Sequence, residues 1–536
     1  MRFRFVPRWR RFAGSWLVVL LVAGLAPVGG CKSGEEKGRP RGPIAQANVR
    51  DALFESVADN LGRLEEYDLN QIMPQICDRL NQWHLQERPT VEWQPDPMID
   101  DLPPELRKLR VMDTLDLVRY RLADAWYLQE AVWLRDISNG ARADQFDDVA
   151  VAERLFDWTV RNIQLEPDAD SEPQVSRHRP YETLLLGTGQ AVERAWVFML
   201  LARQQGLNVV LLEFGDPDGD APRQRLPALL SDGKLYLFDC RLGLPIPGPE
   251  GRPVATLAEV IADEGLLRQL DLDENHPYPL TADDLKHVVA LIEATPHGLS
   301  RRMALVESRL AGQQKMVLTS PASQLAEQLK KVPHVEDVRL WTHPFEIWKW
   351  QSELTSSEIR LAAREMAVFQ IMPTLITGRA LYFKGAYDGE DGAKVKFMQS
   401  RPSDEEIDDY RLPENVAKQV KRENISLQEA GRIVLLRHAK QDASFWLGLI
   451  CFEQEEYPAA VDFFNRRTLK AAPDGPWASA ARYNLARTYE AMGNFDDAIA
   501  LYEADTSAQR HGNTLRARRL RAETKPAAQN AQAEAN

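Results

Sequence analysis

The sequence predicts a mostly helical α+β protein built from several regions. Three observations carry this. Apolar residues recur at helical spacing over much of the chain, as at Val49, Leu53, Val57, Leu61 and Leu64. One island breaks that rhythm: NVVLLEF (208–214) reads as a buried strand, and PALLSDGKLYLFD (227–239) as a hairpin turning at Asp232-Gly233. Finally, FWLGLICFEQEEYPAAVDFF (445–464) aligns with YNLARTYEAMGNFDDAIALY (483–502) at an offset of 38, the mark of a repeated helix pair. At 536 residues the chain exceeds one ordinary core, and 44% hydrophobic with 27% charged residues is a globular composition.

The N-terminus reads as an export signal. Arg2, Arg4, Arg8, Arg10 and Arg11 precede a short apolar run (13–28), and VGGC follows, ending at Cys31. The run is too short to span a bilayer as a helix. A cysteine directly after small residues resembles a bacterial lipobox, which implies cleavage before Cys31 and lipidation of its thiol. An uncleaved anchor is the alternative, and Arg10-Arg11 is a poor match to a twin-arginine signal. Cleavage removes five of 66 basic residues and no acid. That leaves 61 against 79, a net of −18. Such a charge is unfavourable for a nucleic-acid binder and suits a soluble body held off an anionic membrane. Of the remaining cysteines, Cys77, Cys240 and Cys451 lie far apart, without metal-ligand spacing. They read as buried thiols, with one disulfide left open.

A Gly- and Pro-rich tether (31–48) leads into helical stretches at 49–86, 113–137 and 146–163, the last burying Val151, Leu155, Trp158 and Val160. Thr281 and Asp284 have capping-box spacing for a helix over 281–294. KMVL (315–318), a helix near 321–331 and VEDVRLW (335–341) suggest a β-α-β unit. Trp341, Phe345, Trp348 and Trp350 read as a packing seam. Ser426 and Glu429 open a helix to about 439. After 523 the chain is polar and reads as disordered.

The repeated pair resembles the tetratricopeptide repeat, two antiparallel helices per unit. Its packing positions are Leu447, Gly448, Ala460 and Phe464 in the first copy. In the second they are Leu485, Ala486, Tyr489, Ala498 and Tyr502. Small residues let the helices approach and large ones fill the gap. A degenerate earlier unit is suggested at 374–402, where Ala393 and Phe397 repeat the spacing. The resemblance implies a groove for protein or peptide partners.

GTGQAVERAWVFMLLARQQGL (187–207), followed by the strand and hairpin, resembles the core of the transglutaminase-like superfamily, a papain/transglutaminase-like α+β fold. That family places a cysteine at a helix N-terminus, where the dipole favours thiolate, with a histidine as base and a carboxylate to orient it. Gly187 and Gly189 fit the turn; Ala195, Phe198, Arg203 and Gly206 fit the helix. The cysteine position holds Ala191. The histidine position, near Gln224 to Leu226, holds none, and no histidine occurs between His178 and His276. Asp239 stands at the third position and reads as a structural carboxylate capping the next turn.

Cys240 is the alternative nucleophile, with His178 or His276 as its base, although His178 reads as solvent-facing. Glu193 and Arg194 either line the old cleft or are ordinary surface charges, and Trp196 is a candidate to fill it. The GxG turn lacks a dinucleotide loop's third glycine. Asp216, Asp218 and Asp220 alternate like a calcium loop, but Ala221 and Pro227 replace its required Gly and Glu. No metal and no cofactor are therefore expected.

The division that follows is a signal peptide (1–30), tether (31–48), helical N-terminal region (49–140), transglutaminase-like core (141–250), α/β extension (251–355), helical linker (356–440), repeats (441–506) and polar tail (507–536). The expected function is a non-catalytic, membrane-anchored scaffold in the cell envelope, on the periplasmic side or the outer membrane. It would bind protein or peptide partners and no nucleic acid. The alternative is an envelope cysteine hydrolase using Cys240.

Overall fold

The computed structural model describes residues 44–167, 178–215, 224–409 and 427–534. Cys31 with the signal segment, most of the tether, Asp216, Asp218, Asp220, Ala221 and Ser426 lie outside the described residues. No described helix is long and apolar enough to cross a membrane.

Helices α1 (Ile44–Leu61) and α2 (Leu69–Glu87) pack as a pair, α2 being capped by the Asp68 carboxylate on the Asn70 N–H at 2.9 Å. The long helix expected over 113–137 is shorter and later: α3 spans Leu122–Ala141. Asn81 of α2 explains the delay. Its side chain bonds both backbone groups of Tyr120, each at 2.9 Å, and holds that stretch extended. Asp124 then caps the helix through the Arg121 N–H at 2.8 Å.

Helix α4 (Asp148–Asn162) buries Val151, Leu155, Trp158 and Val160 as the spacing predicts. After α5 (Pro180–Leu186) comes α6 (Ala191–Gln204), buried on every side from Ala195 to Ala202 and so central to the core.

A six-stranded sheet runs in the order β6-β5-β4-β3-β7-β8. Strands β3 (Asn208–Phe214), β4 (Gln224–Ser231) and β5 (Lys234–Asp239) form an antiparallel meander, with Asn208 opposite Leu230 and Ala228 opposite Leu237. Asp232 and Gly233 both have positive φ, 49° and 71°, as a tight hairpin turn requires. Strand β6 (Leu244–Pro245) completes that edge, and the two-residue strands β1 (Gln164–Leu165) and β2 (Thr188–Gly189) pair separately in parallel.

Two expectations fail here. Residues 281–294 do not form a helix. The Thr281–Asp284 capping bonds are made, the hydroxyl at 2.7 Å from the carboxylate, but no helix follows. Val288–Ile292 is instead strand β7, seated between β3 and β8 (Val335–Leu340). Its β-branched residues suit a strand buried on both sides, and tertiary pairing overrides the local cap. KMVL is not a strand. Its carbonyls go to side chains instead, the Tyr127 hydroxyl to Leu318 and the Gln204 amide to Val317, each at 2.8 Å. The parallel partner of β8 is thus β7, with α7 (Ala322–Leu329) between them in sequence.

The expected aromatic seam forms in part: Trp348 packs on His297, and Trp350 bonds Glu358. Trp341 and Phe345 are buried where α8 (His343–Ser352) begins, and Trp341 meets Trp196 edge-on at 5.5 Å. Beyond α9 (Ser356–Glu365) the chain is a helical array: α10 (Thr374–Phe383) with α11 (Ala393–Gln399), α12 (Leu427–Glu453) with α13 (Tyr457–Val461), then α14 (Ala478–Ala491) with α15 (Phe495–Glu503). A wider-wound stretch, Asp462–Leu469, extends α13. Helix α12 is continuous past 439, since HAKQDASFW contains no breaker. The polar tail is corrected too: Arg510–Glu534 is a helix, α16, that buries Leu515, Ala517 and Leu520.

Candidate functional site

The site to test is the N-terminal end of α6. Gly187 ends α5 at φ 72°, a left-handed cap. A Cβ there would stand 3.0 Å from the Trp477 ring, so the array leans directly on this turn. Gln164 and Glu166 donate to the Gly187 and Gly189 carbonyls at 2.8 and 2.9 Å and fix the strand that enters α6.

Ala191 is the first residue of α6, and its methyl packs on the hydrophobic core. Glu193 is buried, not a surface charge. One of its oxygens accepts from the Gln190 N–H at 2.7 Å and the other from the His178 N–H at 2.9 Å. Burial raises its carboxyl against the pull of His178. His178 is likewise buried, contrary to expectation, with Nε2 3.3 Å from Glu365. Burial alone would depress the imidazole, but the Glu365 bond and the charges of Glu193 and Glu182 lift it to about 9.

Arg194 is 1% exposed, so the surface reading fails for it as well. Its guanidinium bonds four times to backbone carbonyls: twice to Ile163 (2.8 and 2.5 Å), once to Val160 (3.4 Å) and once to Cys240 (3.2 Å). Val160 and Ile163 belong to the C-terminal end of α4, where unsatisfied carbonyls attract a cation. The Cys240 bond also shows that the start of α6 and the end of β5 lie together. Trp196 does not fill this cleft. Its Nε1 bonds Glu293 at 3.0 Å, in the aromatic seam.

Asp239 closes the turn after β5, accepting from the Arg241 and Leu242 N–H groups at 2.7 and 3.0 Å and from the Tyr278 hydroxyl at 2.6 Å. On β4, where a base would stand, Leu226 is buried and Gln224 exposed. Cys240 is buried, and burial pushes its thiol well up. The thiols of Cys77 and Cys451 are raised to about 12 and about 11 by the same cause, and all three cysteines are free. His276 is exposed beside Asp273, 2.8 Å away. Among the described residues, no group of three or more His, Cys, Asp or Glu is arranged to hold a metal.

The first helix of each array hairpin faces this end of the core. Tyr382 of α10 donates to Asn162 at 2.7 Å, Glu453 of α12 pairs with Arg161 at 2.6 Å, and Asn484 of α14 donates to the Arg161 carbonyl at 3.0 Å. Arg487 of α14 pairs with Asp157, and Gln164 bonds Pro476 and Ala480 at 2.8 and 3.0 Å. Burial would raise Asp157, yet Arg487 and Arg161 hold its carboxyl far below the usual range. The inner face of the array is therefore filled by α4 and the turn at Gly187, except for a small recess. Leu165, Arg194, Tyr483, Asn484, Gln509 and Asn513 are among its lining. The sequence reading missed this joint. Its one local signal is Asp157 and Arg161, an acid and a base one turn apart on a helix whose other face is apolar.

Within the array the packing positions behave as the spacing requires. Leu447, Ala460, Phe464, Leu485, Ala486, Ala498 and Tyr502 are buried, and Tyr489 partly so. The Phe464 ring lies 2.5 Å from where a Gly448 Cβ would stand, and Phe397 makes the same close approach to Gly378, at 2.6 Å. The hairpin at 374–399 thus shares the geometry of the repeats.

Residues 442–504 match the tetratricopeptide repeat family. Repeats of this family generally mediate protein–protein interaction, which is the role that the match suggests for the C-terminal region. No curated protein and no solved structure matches the chain.

Proposed function

We propose that this chain is a non-catalytic, lipid-anchored scaffold of the cell envelope, built on a transglutaminase-like core without its nucleophile and on a repeat array that meets protein partners. One observation carries the reading. The N-terminal end of α6 is committed to packing: Ala191 faces the core, Arg194 is spent on four carbonyls, and the array roofs the turn. The order of a buried helix, then β3, β4 and β5, with Asp239 at the end of β5, supports the family resemblance. The buried Cys240 thiol, raised by burial and bonded through its carbonyl to Arg194, lacks the activation a nucleophile needs.

Alkylation of the native protein, read cysteine by cysteine, tests the catalytic part. Slow labelling of Cys77, Cys240 and Cys451 until denaturation is expected, and fast selective labelling of Cys240 would restore the hydrolase reading. Detergent phase partition tests the anchor: the full chain should enter the detergent phase and Cys31→Ala should leave it.

A further inference from the structure

We propose that the groove of the array is closed: the C-terminal end of α4 sits in it as a resident ligand, and no outside peptide takes its place in the folded protein. The repeat resemblance implies a groove lined by the first helix of each pair and open to partners. Here long polar side chains of those helices are already bonded to the core. Arg379 of α10 donates to the Leu184 carbonyl and Tyr382 to Asn162. Glu453 of α12 pairs with Arg161, whose guanidinium also covers the Phe452 ring at 4.8 Å. Asn484 and Arg487 of α14 hold the Arg161 carbonyl and the Asp157 carboxylate. Arg379, Tyr382 and Asn484 are buried, so these bonds are made away from water.

The backbones are also too close for an insertion. At Gly187 the Trp477 ring leaves no room for a side chain. On the other flank, α16 comes so near the turn after β5 that a Cβ on Gly512 would meet the Leu242 carbonyl oxygen. On either side of Gly512, His511 and Arg518 bond the Leu270 and Asp271 carbonyls, each at 2.7 Å. A peptide entering the groove would have to part these contacts and leave Asp157 and Arg161 without their partners on the array. Breaking a buried ion pair is strongly unfavourable. The displaced segment also competes from within the same chain, at high effective concentration. The array is thereby a fixed brace on the turn that enters α6. This deepens the scaffold reading and rests on it for one point only, that partners of the scaffold meet surfaces outside the groove.

Native-state hydrogen exchange of the full chain, at rising denaturant below the unfolding midpoint, tests this. The amides of α14 and of the last turns of α4 should lose protection together. Opening of α14 while α4 and β3 to β5 stay protected overturns the inference. So does saturable binding of a synthetic peptide of residues 148–162 to the native chain. Gly512→Ala separates a brace from a loose appendage. On an uncommitted helix, alanine in place of glycine stabilises. Here the added Cβ meets Leu242, so exchange in α14 and α16 should speed up at least about tenfold and exchange in β7 and β8 should not change. Asn484→Ala cuts one bond at the middle of the joint and should act in the same direction, several-fold, so the test stands even if Gly512→Ala does not fold. Exchange as slow as the wild type in both variants overturns the inference. None of these outcomes touches the thiol-labelling and phase-partition tests of the scaffold reading.

Discussion

Two buried arginines at the C-terminal end of α4 treat their charge in opposite ways. Arg194 of α6 is held by backbone carbonyls alone, whereas Arg161 of α4 is held by the carboxylates of Asp157 and Glu453. The first arrangement ties three chain segments through one side chain and has no substitute if that side chain is lost. The second shares its load with Arg487, Glu490 and Arg516, so any one member leaves partial compensation. The core end of the joint is therefore the brittle one and the array end the tolerant one.

The largest effect that separates them should come from Arg194→Met. It strands the Ile163, Val160 and Cys240 carbonyls, and denaturant unfolding should show a loss of about 4 kcal/mol. Asp157→Ala should cost less, about 2 kcal/mol, because its side chain retains some solvent and Arg161 keeps Glu453. Pairing it with Arg487→Ala should cost clearly less than the sum of the two single changes. If Asp157→Ala proves the more damaging, the contrast between brittle and tolerant ends is wrong. Gly448→Val asks whether the array is tolerant inside as well as at the joint. Phe464 already occupies the space, so a loss of about 2 kcal/mol is expected from overpacking.

A pH titration of stability probes His178, which ties α9 to the core. Its folded value of about 9 lies above the 6.5 of a free imidazole. The added stability is complete below pH 6.5 and is lost as pH rises through 9. The unfolding midpoint should fall across that window, and His178→Gln should flatten the fall. The smallest change is expected from Ala191→Cys. It should shift stability by no more than about 0.5 kcal/mol and give a thiol that labels faster than Cys240. It should not hydrolyse peptides, since β4 carries no base beside it.

Local chemistry was legible where it agreed with its surroundings. The β4–β5 hairpin follows from Asp232-Gly233 between two apolar runs, and the repeats follow from small and large residues at fixed spacing. Residues 281–294 show the opposite case. Their capping bonds form, yet the partners that decide the outcome, β3 and β8, lie some 45 to 80 residues away in sequence, beyond any window read along the chain. The absence of a cysteine at Ala191 and of a histidine on β4 was legible along the chain. The burial of His178 and Arg194 was not, because each meets partners distant in sequence: Glu365 of α9 for His178, and the end of α4 with the Cys240 carbonyl for Arg194. Nothing in SRHRP announces that Glu365 will cover it.

The joint between array and core also sets an order of events during synthesis. Asn484 reaches back 323 residues to Arg161, Arg487 reaches 330 to Asp157, and His511 of α16 reaches 241 to the Leu270 carbonyl. Closing such loops late is entropically slow. Until the last quarter of the polypeptide has emerged, the end of α4 lacks Arg487 and Asn484, and Gly187 lacks the ring of Trp477. A chain that ends before residue 478 therefore leaves Asp157 and Arg161 without the partners that α14 brings.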